Sequence, residues 1–312
     1  MNKVSFFDKR VFDNFLKVTS YISVTLSLVV LFVDIPKDCK SLYGWVFLGF
    51  LVIIYILIWI WANTLNKIDI KVEGSDVTIK VGDIFQQKGL KAIAFNEYFD
   101  TQVDNKIIAE NSLNGIFINN YLDVSASDLD HYIQNYAFEI DELIESNSDR
   151  AQGKIDRYQI GTICIYRDYL LTAFSKFDKN NKALLTMPEY LEFLINFWDK
   201  VNNVYAQQNV STPIFGSGIT RIKGHKSISD EDLLKIMLWT FRISEMRFKY
   251  PARLTIVIHK DKINQINLLD IKSARNGVWM PLTSACCRTG FPLRSKPAAN
   301  AGVMLYSVQV DV

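Results

Sequence analysis

The sequence is poor in the residues that build metal centres and disulfide frameworks. Its 312 residues include four cysteines and three histidines, and the cysteines form no spaced pair of ligands. This scarcity argues against a zinc site and a disulfide framework, and free thiols suit a reducing compartment. An excess of either charge is lacking as well, with a formal net charge of +2. Because dedicated nucleic-acid binding proteins usually show a strongly basic balance, we expect no nucleic-acid partner.

Long apolar runs are present near the start of the chain. Residues 42–62 carry no charged side chain, and a helix of this length is able to cross a hydrocarbon core of about 30 Å. Aromatic side chains, which membrane interfaces favour, lie near the two ends of the run: Tyr43, Trp45, Trp59 and Trp61. Residues 18–33 form a shorter apolar run that spans a bilayer only with tilt or local thinning. The pattern predicts a transmembrane hairpin over residues 18–62.

The distribution of basic residues predicts the orientation of this hairpin. Lysine and arginine precede the first run, are fewer in the connecting loop, and return after the second run. In chain order they are Lys3, Lys9, Arg10, Lys17, Lys37, Lys40, Lys67, Lys71 and Lys80. The positive-inside rule then places residues 1–17 and everything after residue 62 in the cytoplasm.

From residue 63 the pattern changes to short strands that alternate with amphipathic helices. Helix-capping signals lie at Ser125, Thr186 and Ser229. The helices that begin at these caps are predicted to end near Ile144, Gln208 and Phe248. The alternation predicts an α/β domain over residues 63–273 with a mixed central sheet. Residues 274–312 show no sustained period and are predicted to be a tail that is disordered or non-native.

The stretch STPIFGSGITRIKG, from Ser211 to Gly224, places bare backbone before two cations. Glycines on both sides of Ser217 are able to expose consecutive N–H groups, which form an anion-binding concavity. Taken alone, Gly-Ser-Gly is more typical of an ordinary surface turn. The rest of the sequence must decide between the two interpretations.

Three segments of the chain together resemble the ligand-binding elements of a macro domain, the module that holds ADP-ribose. They are Val81–Ile84, Ala92–Asn96 and Pro213–Ile219. The resemblance implies that Asp83 accepts a hydrogen bond from the adenine amino group and that Asn96 contacts the distal ribose. It also implies that the glycine loop wraps the diphosphate, a group that suits backbone N–H donors at a helix N-terminus.

The hairpin and the domain together are similar to the membrane-anchored macro effectors of bacterial Thoeris anti-phage systems. The segment from Gly82 to Phe117 carries the most specific part of this likeness. The resemblance implies a three-layer macro-like domain and a multi-pass location in the inner membrane. It further implies a TIR-domain partner that makes an ADP-ribose-derived signal from NAD. The effector would bind this signal, form a homo-oligomer and damage the lipid bilayer.

The chain departs from ordinary macro domains after Asn96. The run Asn96-Glu97-Tyr98-Phe99-Asp100 replaces the usual asparagines and glycines. This departure disfavours hydrolysis and favours a binding protein without catalysis, cofactor or metal. A membrane-tethered ADP-ribosyl hydrolase and a membrane scaffold without ligand remain the alternatives. The predicted ligand-binding residues are Asp83, Ile84, Asn96, Asp100, Ser112, Leu113, Asn114, Gly115, Gly216, Ser217, Gly218, Ile219, Thr220 and Arg221.

Overall fold

The structure is a computed structural model that describes residues 3–32, 40–178, 180–218, 221–222 and 228–273. All of these residues belong to one of the two units into which the chain divides, residues 1–279. The predicted tail, residues 274–312, lies outside the described residues. Ile219, Thr220 and the side chain of Arg221 also lie outside them.

Two helices open the chain: α1, Lys9–Val30, and α2, Lys40–Thr64. Among the described helices, α2 alone is long and apolar enough to cross a membrane. α1 begins at residue 9, ahead of the apolar run that starts at residue 18, because the Asp8 side chain caps it. Its uncharged part, residues 18–30, spans roughly 20 Å, which is short of a hydrocarbon core of about 30 Å. The predicted pair of membrane spans is therefore not confirmed.

The N-terminal segment and α1 pack against the second half of α2. Phe6 and Phe15 make edge-to-face contacts with Tyr55, with ring centroids 5.0 and 5.4 Å apart. The Trp59 indole N–H donates a hydrogen bond to the Val4 carbonyl at 3.1 Å. These contacts hold the two helices together where α2 leads into the α/β domain.

The strands of the α/β domain are short, and most of them belong to one sheet. Their bounds are Lys67–Val72 (β1), Ser75–Val81 (β2), Leu90–Asn96 (β3), Leu143–Ser146 (β4), Asp156–Tyr158 (β5), Ile163–Tyr166 (β6), Tyr169–Phe177 (β7), Ala183–Leu185 (β8), Val210–Pro213 (β9), Arg221–Ile222 (β10) and Leu254–Ile258 (β11). Nine of these described strands form a sheet of order β1-β2-β11-β9-β3-β7-β8-β10, with β6 also paired to β7. β4 and β5 form a separate two-stranded ribbon.

The centre of this sheet is parallel. β2, β11, β9, β3 and β7 all run in the same direction, while β1 is antiparallel to β2, and β6 and β8 are antiparallel to β7. The mixed sheet predicted from the alternation of strands and helices is therefore confirmed. Because the central strands are parallel, their carboxyl ends meet at one edge, and the loops that follow them lie side by side.

Helices cover both faces of the sheet. Their bounds are Leu113–Asn120 (α3), Ala126–Gln134 (α4), Met187–Val204 (α5), Asp230–Ile243 (α6) and Leu268–Ser273 (α7). Successive residues of a strand point to opposite faces, so Ala92 packs in the core with α5 and α6, whereas Ile93 packs in the core with α3 and α4. Two hydrophobic cores therefore enclose the sheet, and the domain has the predicted three layers.

The helix starts are better predicted than the helix ends. Ser125, Thr186 and Ser229 each form a capping box, with Asp128, Glu189 and Asp232 as the acidic partners. α4, α5 and α6 end earlier than predicted. The largest error concerns α4, which ends at Gln134 and not near Ile144 because Leu143 and Glu145 pair with β5. Strand pairing there outweighs the amphipathic pattern, which is only a local preference.

Candidate functional site

The carboxyl edge of the sheet collects most of the predicted ligand-binding residues. Asp83 follows β2, Asn96 ends β3, and the Gly216–Gly218 loop follows β9. In open α/β sheets, ligands bind in the crevice outside the carboxyl ends of the strands. Segments that are far apart in the sequence thus meet where such a ligand would lie.

Asp83 lies exposed at the end of β2, and its carboxylate caps a short 3-10 turn at Ile84–Gln86. Oδ1 accepts a hydrogen bond from the Phe85 N–H at 2.9 Å, whereas Oδ2 accepts none within the described part of the chain. Ile84 is buried beneath the turn. Phe85 stacks on Tyr121, with ring centroids 3.9 Å apart. Asp83 therefore offers one free carboxylate oxygen beside a flat aromatic pair.

The Gly216–Gly218 loop has the geometry of an exposed backbone turn. Gly216 has a φ of +84°, a conformation that side chains disfavour. The Ser217 hydroxyl donates to the Ile214 carbonyl at 2.9 Å, and the buried Tyr190 hydroxyl donates to the Phe215 carbonyl at 2.9 Å. Among the residues that the structure describes, none has an atom within 4 Å of a β carbon placed at Gly218. Tyr190 therefore holds the loop from one side, while no described residue covers Gly218.

A cavity of about 560 Å³ lies at the ends of β3 and β7. It is lined by three predicted site residues, Asn96, Ser112 and Asn114. Its other lining residues are Ala94, Phe95, Asn105, Lys106, Ile107, Ile108, Ala109, Phe174, Ser175, Phe177, Asn181, Lys182, Ala183 and Leu184. Asp83 and the glycine loop do not line it. The predicted site therefore has two parts, the loops that follow β2 and β9 and the cavity at the ends of β3 and β7.

The predicted residues Ser112–Gly115 form the start of α3. The Ser112 hydroxyl caps this helix by accepting a hydrogen bond from the Gly115 N–H at 3.1 Å. Gly115 is required here, because a β carbon would overlap the Ala109 carbonyl oxygen. Leu113 packs against the hydrophobic core below α3. Of this group, Ser112 and Asn114 present atoms to the cavity.

Asn96 and Asp100 are turned toward the protein. The Asn96 side-chain oxygen accepts hydrogen bonds from the N–H groups of Tyr98 and Asp100, at 3.0 and 3.3 Å. Its side-chain nitrogen donates to Asp100 Oδ2 at 2.9 Å. The Asp100 side chain is 1% exposed, and Arg150 donates to both of its oxygens. Asp100 was predicted to bind ligand, but the structure places its carboxylate in an internal ion pair.

Three carboxylates near this edge are candidates for a catalytic base, and none of them lines the cavity. Burial raises the pKa of Glu97, although its Oε1 accepts a hydrogen bond from the Phe177 N–H at 3.0 Å. Asp104 caps its own loop, and hydrogen bonds from the N–H groups of Ile107 and Lys106 lower its pKa. The Asp100 carboxylate forms an ion pair with Arg150. Each carboxylate thus accepts at least one hydrogen bond from the protein itself.

Arg150 and Asn181 are residues of this site that the sequence pattern does not indicate. Arg150 lies in a polar loop before β5, and Asn181 lies in the turn between β7 and β8. The two side chains are hydrogen-bonded to each other, although they are far apart in the sequence. A polar loop gives no local signal of such a contact, so only the fold reveals it.

Comparison with known proteins decides the family. A family model described as Thoeris protein ThsA, Macro domain, matches residues 77–259. The chain belongs to this family. It is also similar to the Thoeris protein ThsA of Bacillus amyloliquefaciens (strain Y2), with 37% identity over 268 residues. The alignment covers 84% of this chain and 89% of that protein. The predicted resemblance to Thoeris macro proteins is confirmed, whereas membrane anchoring is not.

Solved macrodomains of Oceanobacillus iheyensis are also similar to this ThsA family member. The macrodomain with ADP is 12% identical, with a TM-score of 0.39, and covers 64% of this chain and 90% of that chain. The macrodomain with MES bound is 12% identical, with a TM-score of 0.40 and the same coverage of both chains.

Proposed function

We propose that this chain is an anti-phage defence effector whose macro domain binds an ADP-ribose-derived signal. The observation that carries the proposal is the arrangement of the carboxyl edge. There, Asp83, the open Gly216–Gly218 loop and the cavity beside Asn96 follow strands of one parallel set. Membership in the Thoeris ThsA macro family supports this class of ligand. In this proposal a TIR-domain enzyme acts as a partner only through its product, which it makes from NAD.

The strand order supports an extended nucleotide. β2 and β3 are separated by β11 and β9, so their ends lie roughly 14 Å apart at about 4.8 Å per strand. In the proposed pose, adenine lies at Asp83, the diphosphate lies over Gly216–Gly218, and the distal ribose points toward the cavity beside Asn96. The open space above Gly218 supports close approach of a diphosphate to the backbone. The N–H groups of that loop would donate to the phosphate oxygens.

We further propose that α2 crosses the inner membrane with α1 beside it. α2 is 25 residues long, and its most apolar 18-residue window has a mean hydropathy of 2.5, yet only 6% of that window is buried. An exposed apolar surface of this size marks a membrane or protein contact. The exposed side chains include Leu42, Trp45, Val46, Leu48, Phe50, Val52, Ile53 and Leu57. If α1 crosses as well, both termini lie in the cytoplasm, as the basic residues predict.

Membrane damage in this proposal requires assembly. Lipid would surround a single two-helix hairpin on every side, so one chain cannot enclose a conduit. Several hairpins must come together, and a ligand drives this step only if it binds the assembled state more tightly. Hydroxyl groups on α1, at Thr19, Ser20, Thr25 and Ser27, donate to carbonyls of α1 itself and satisfy their hydrogen bonding within the helix. Packing of apolar side chains would then provide most of the contact between hairpins.

The proposed effector binds its signal without converting it. A general base must reach the proton that it abstracts, directly or through one water. Within the described residues, Glu97, Asp100 and Asp104 do not line the cavity, and each accepts a hydrogen bond from another part of the protein's own structure. This arrangement favours a receptor over a hydrolase.

Titration of the full-length protein in detergent with ADP-ribose tests the proposal. Calorimetry measures binding, and chromatography of the same mixture measures conversion of the nucleotide. We expect saturable binding and unchanged ADP-ribose. Conversion to another nucleotide would instead support the hydrolase, and absence of binding would support a scaffold without ligand.

A further inference from the structure

Two cavity-lining asparagines are connected by a buried ion pair. The Asn96 side-chain nitrogen donates to Asp100 Oδ2 at 2.9 Å. Arg150 donates to the same carboxylate, from Nη2 at 2.6 Å and from Nη1 at 3.1 Å. Arg150 Nε and Nη2 also donate to the Asn181 side-chain oxygen, at 3.2 and 3.0 Å. A continuous path of hydrogen bonds thus runs from the end of β3 to the turn after β7.

The middle of this path is removed from solvent. The side chains of Asp100 and Arg150 are 1% and 6% exposed. The Arg150 guanidinium lies over the Tyr98 ring, 3.9 Å from its centroid. Gly153 lets the loop approach the ion pair, because a β carbon there would lie 2.6 Å from Asp100 Oδ1 and 2.7 Å from Arg150 Nη1. The guanidinium therefore has one position, fixed by a fork of hydrogen bonds and by ring stacking.

Asn181 needs this support. Its backbone has a φ of 56°, which is uncommon for residues other than glycine. Within the described residues, Arg150 provides both hydrogen bonds to its side-chain oxygen. When that oxygen is held, the Asn181 side-chain nitrogen keeps a fixed direction at the cavity wall. Without Arg150, the Asn181 side chain would lose this orientation.

We propose that Arg150 is a positioning residue that sets the affinity of the cavity for the end of the ligand distal to adenine. It acts through Asn96, by way of Asp100, and through Asn181, and so fixes two walls of the cavity together. This inference rests on the proposed function, since it takes ADP-ribose as the kind of ligand that reaches the cavity. ADP ends at the diphosphate and does not extend to the cavity walls.

The test compares ADP-ribose with ADP on full-length protein in detergent. Arg150→Lys keeps the positive charge but removes the fork that holds Asp100 and Asn181 at once. We expect this variant to lose about tenfold in affinity for ADP-ribose, the size of one hydrogen bond, and little for ADP. The ratio of the two affinities is the deciding quantity, because a loss of fold would lower both.

Arg167→Lys provides a matched control. Arg167 also pairs with an aspartate, Asp123, and lies over a tyrosine ring, Tyr166. It lies in the turn before β7, at the end of that strand opposite to the cavity. We expect the Arg167 variant to keep the wild-type ratio of affinities.

Asn181→Ala tests the same ratio of affinities with a second variant. It removes the Asn181 side chain and keeps the Arg150–Asp100 pair. We expect it to lower the ratio, and the double variant with Arg150→Lys to lose less than the sum of the single losses. If Arg150→Lys does not fold, an unchanged ratio in Asn181→Ala still overturns the path from Arg150 through Asn181. An unchanged ratio in the folded variants would overturn the role of Arg150 while the proposed function stands. Failure of the wild type to bind either nucleotide would overturn the proposed function, and this inference with it.

Discussion

The Asp270 carboxylate connects Arg10 of α1 to Lys235 of α6. Arg10 Nη2 contacts Asp270 Oδ1, and Lys235 Nζ lies 2.6 Å from Asp270 Oδ2. The Asp270 side chain is 8% exposed, so the bridge is largely removed from water. α6 is the helix that follows the Gly216–Gly218 loop. One buried carboxylate therefore joins the first helix of the chain to the part of the macro domain next to the proposed diphosphate site.

Asp270→Asn should lower the stability of the protein. The substitution keeps the shape of the side chain but leaves two cations without their shared anion. We expect a loss of roughly 1.5–3 kcal/mol in the free energy of unfolding, the usual contribution of hydrogen bonds to charged groups. Urea titration in detergent measures it. Asp76→Asn is the control, since it removes an exposed ion pair with Lys71 at 3.9 Å and should change little. Equal losses in both variants would contradict the role of the bridge.

Glu189 should make stability depend on acid pH. Burial alone would raise its pKa, but hydrogen bonds from Thr186 and Lys176 outweigh burial and lower the pKa from 4.5 to about 2. Because the folded pKa lies below the unfolded one, the ionised carboxylate contributes stability above pH 4.5. That contribution is lost as the pH falls from 4.5 towards 2.

Glu189→Gln tests this pH dependence. The difference in free energy of unfolding between wild type and variant should shrink as the pH falls through the window from 4.5 towards 2. Thermal melts at a series of pH values measure the difference. Glu192→Gln, which changes an exposed glutamate of the same helix, controls for the substitution itself. If the difference in free energy of unfolding between wild type and Glu189→Gln does not vary with pH, the lowered pKa of Glu189 is refuted.

Gly218→Val should abolish nucleotide binding and leave the fold intact. Among the described residues, the new β carbon meets no atom within 4 Å, but the side chain blocks approach of a diphosphate to the backbone. Calorimetric titration with ADP-ribose measures binding, and thermal melting measures the fold. Gly49→Val is the matched control, because a β carbon at Gly49 in α2 also meets nothing within 4 Å. Unchanged affinity in the Gly218 variant would make the loop an ordinary turn.

Asp83→Ala should weaken ADP-ribose binding by roughly 1.5–3 kcal/mol, the usual contribution of a hydrogen bond to a charged group. The loss should be smaller for an analogue whose purine lacks the amino group. Asp83→Asn separates base recognition from the cap, because asparagine is still able to accept the hydrogen bond from Phe85 N–H. Calorimetry with both nucleotides gives the comparison. Equal losses for the two nucleotides would show that Asp83 only supports the turn.

Local patterns in the sequence predict much of this fold, because the relevant interactions are local. The capping boxes at Ser125, Thr186 and Ser229 bring together residues three apart, so the sequence displays both partners. The end of α4 depends on pairing between β4 and β5, across a loop, and the helical pattern misjudges it. In α1, the Asp8 cap extends the helix ahead of the apolar run, and a count of apolar residues does not show this.

In the candidate site too, some residues are predictable from local sequence patterns and others are not. Asp83 and the glycine loop are visible in the sequence because each is a short motif next to a strand. The environment of Asp100 is not visible, because Arg150 reaches it across 50 residues. A carboxylate shortly after a predicted ligand-binding asparagine resembles a ligand contact until its partner is known. The two partners of a buried ion pair often come from separate loops, so the sequence near one partner does not show the other.

Dye release from liposomes that contain the full-length protein tests the central claim most directly. The claim is that a nucleotide bound at the carboxyl edge of the macro domain causes the N-terminal helices to permeabilise the membrane. Wild-type protein and Gly218→Val are compared, each with and without ADP-ribose. The account predicts release from wild-type liposomes only when the nucleotide is present, and none from the variant. Equal release with and without nucleotide in the wild type, or the same nucleotide-dependent release in the variant, would contradict it.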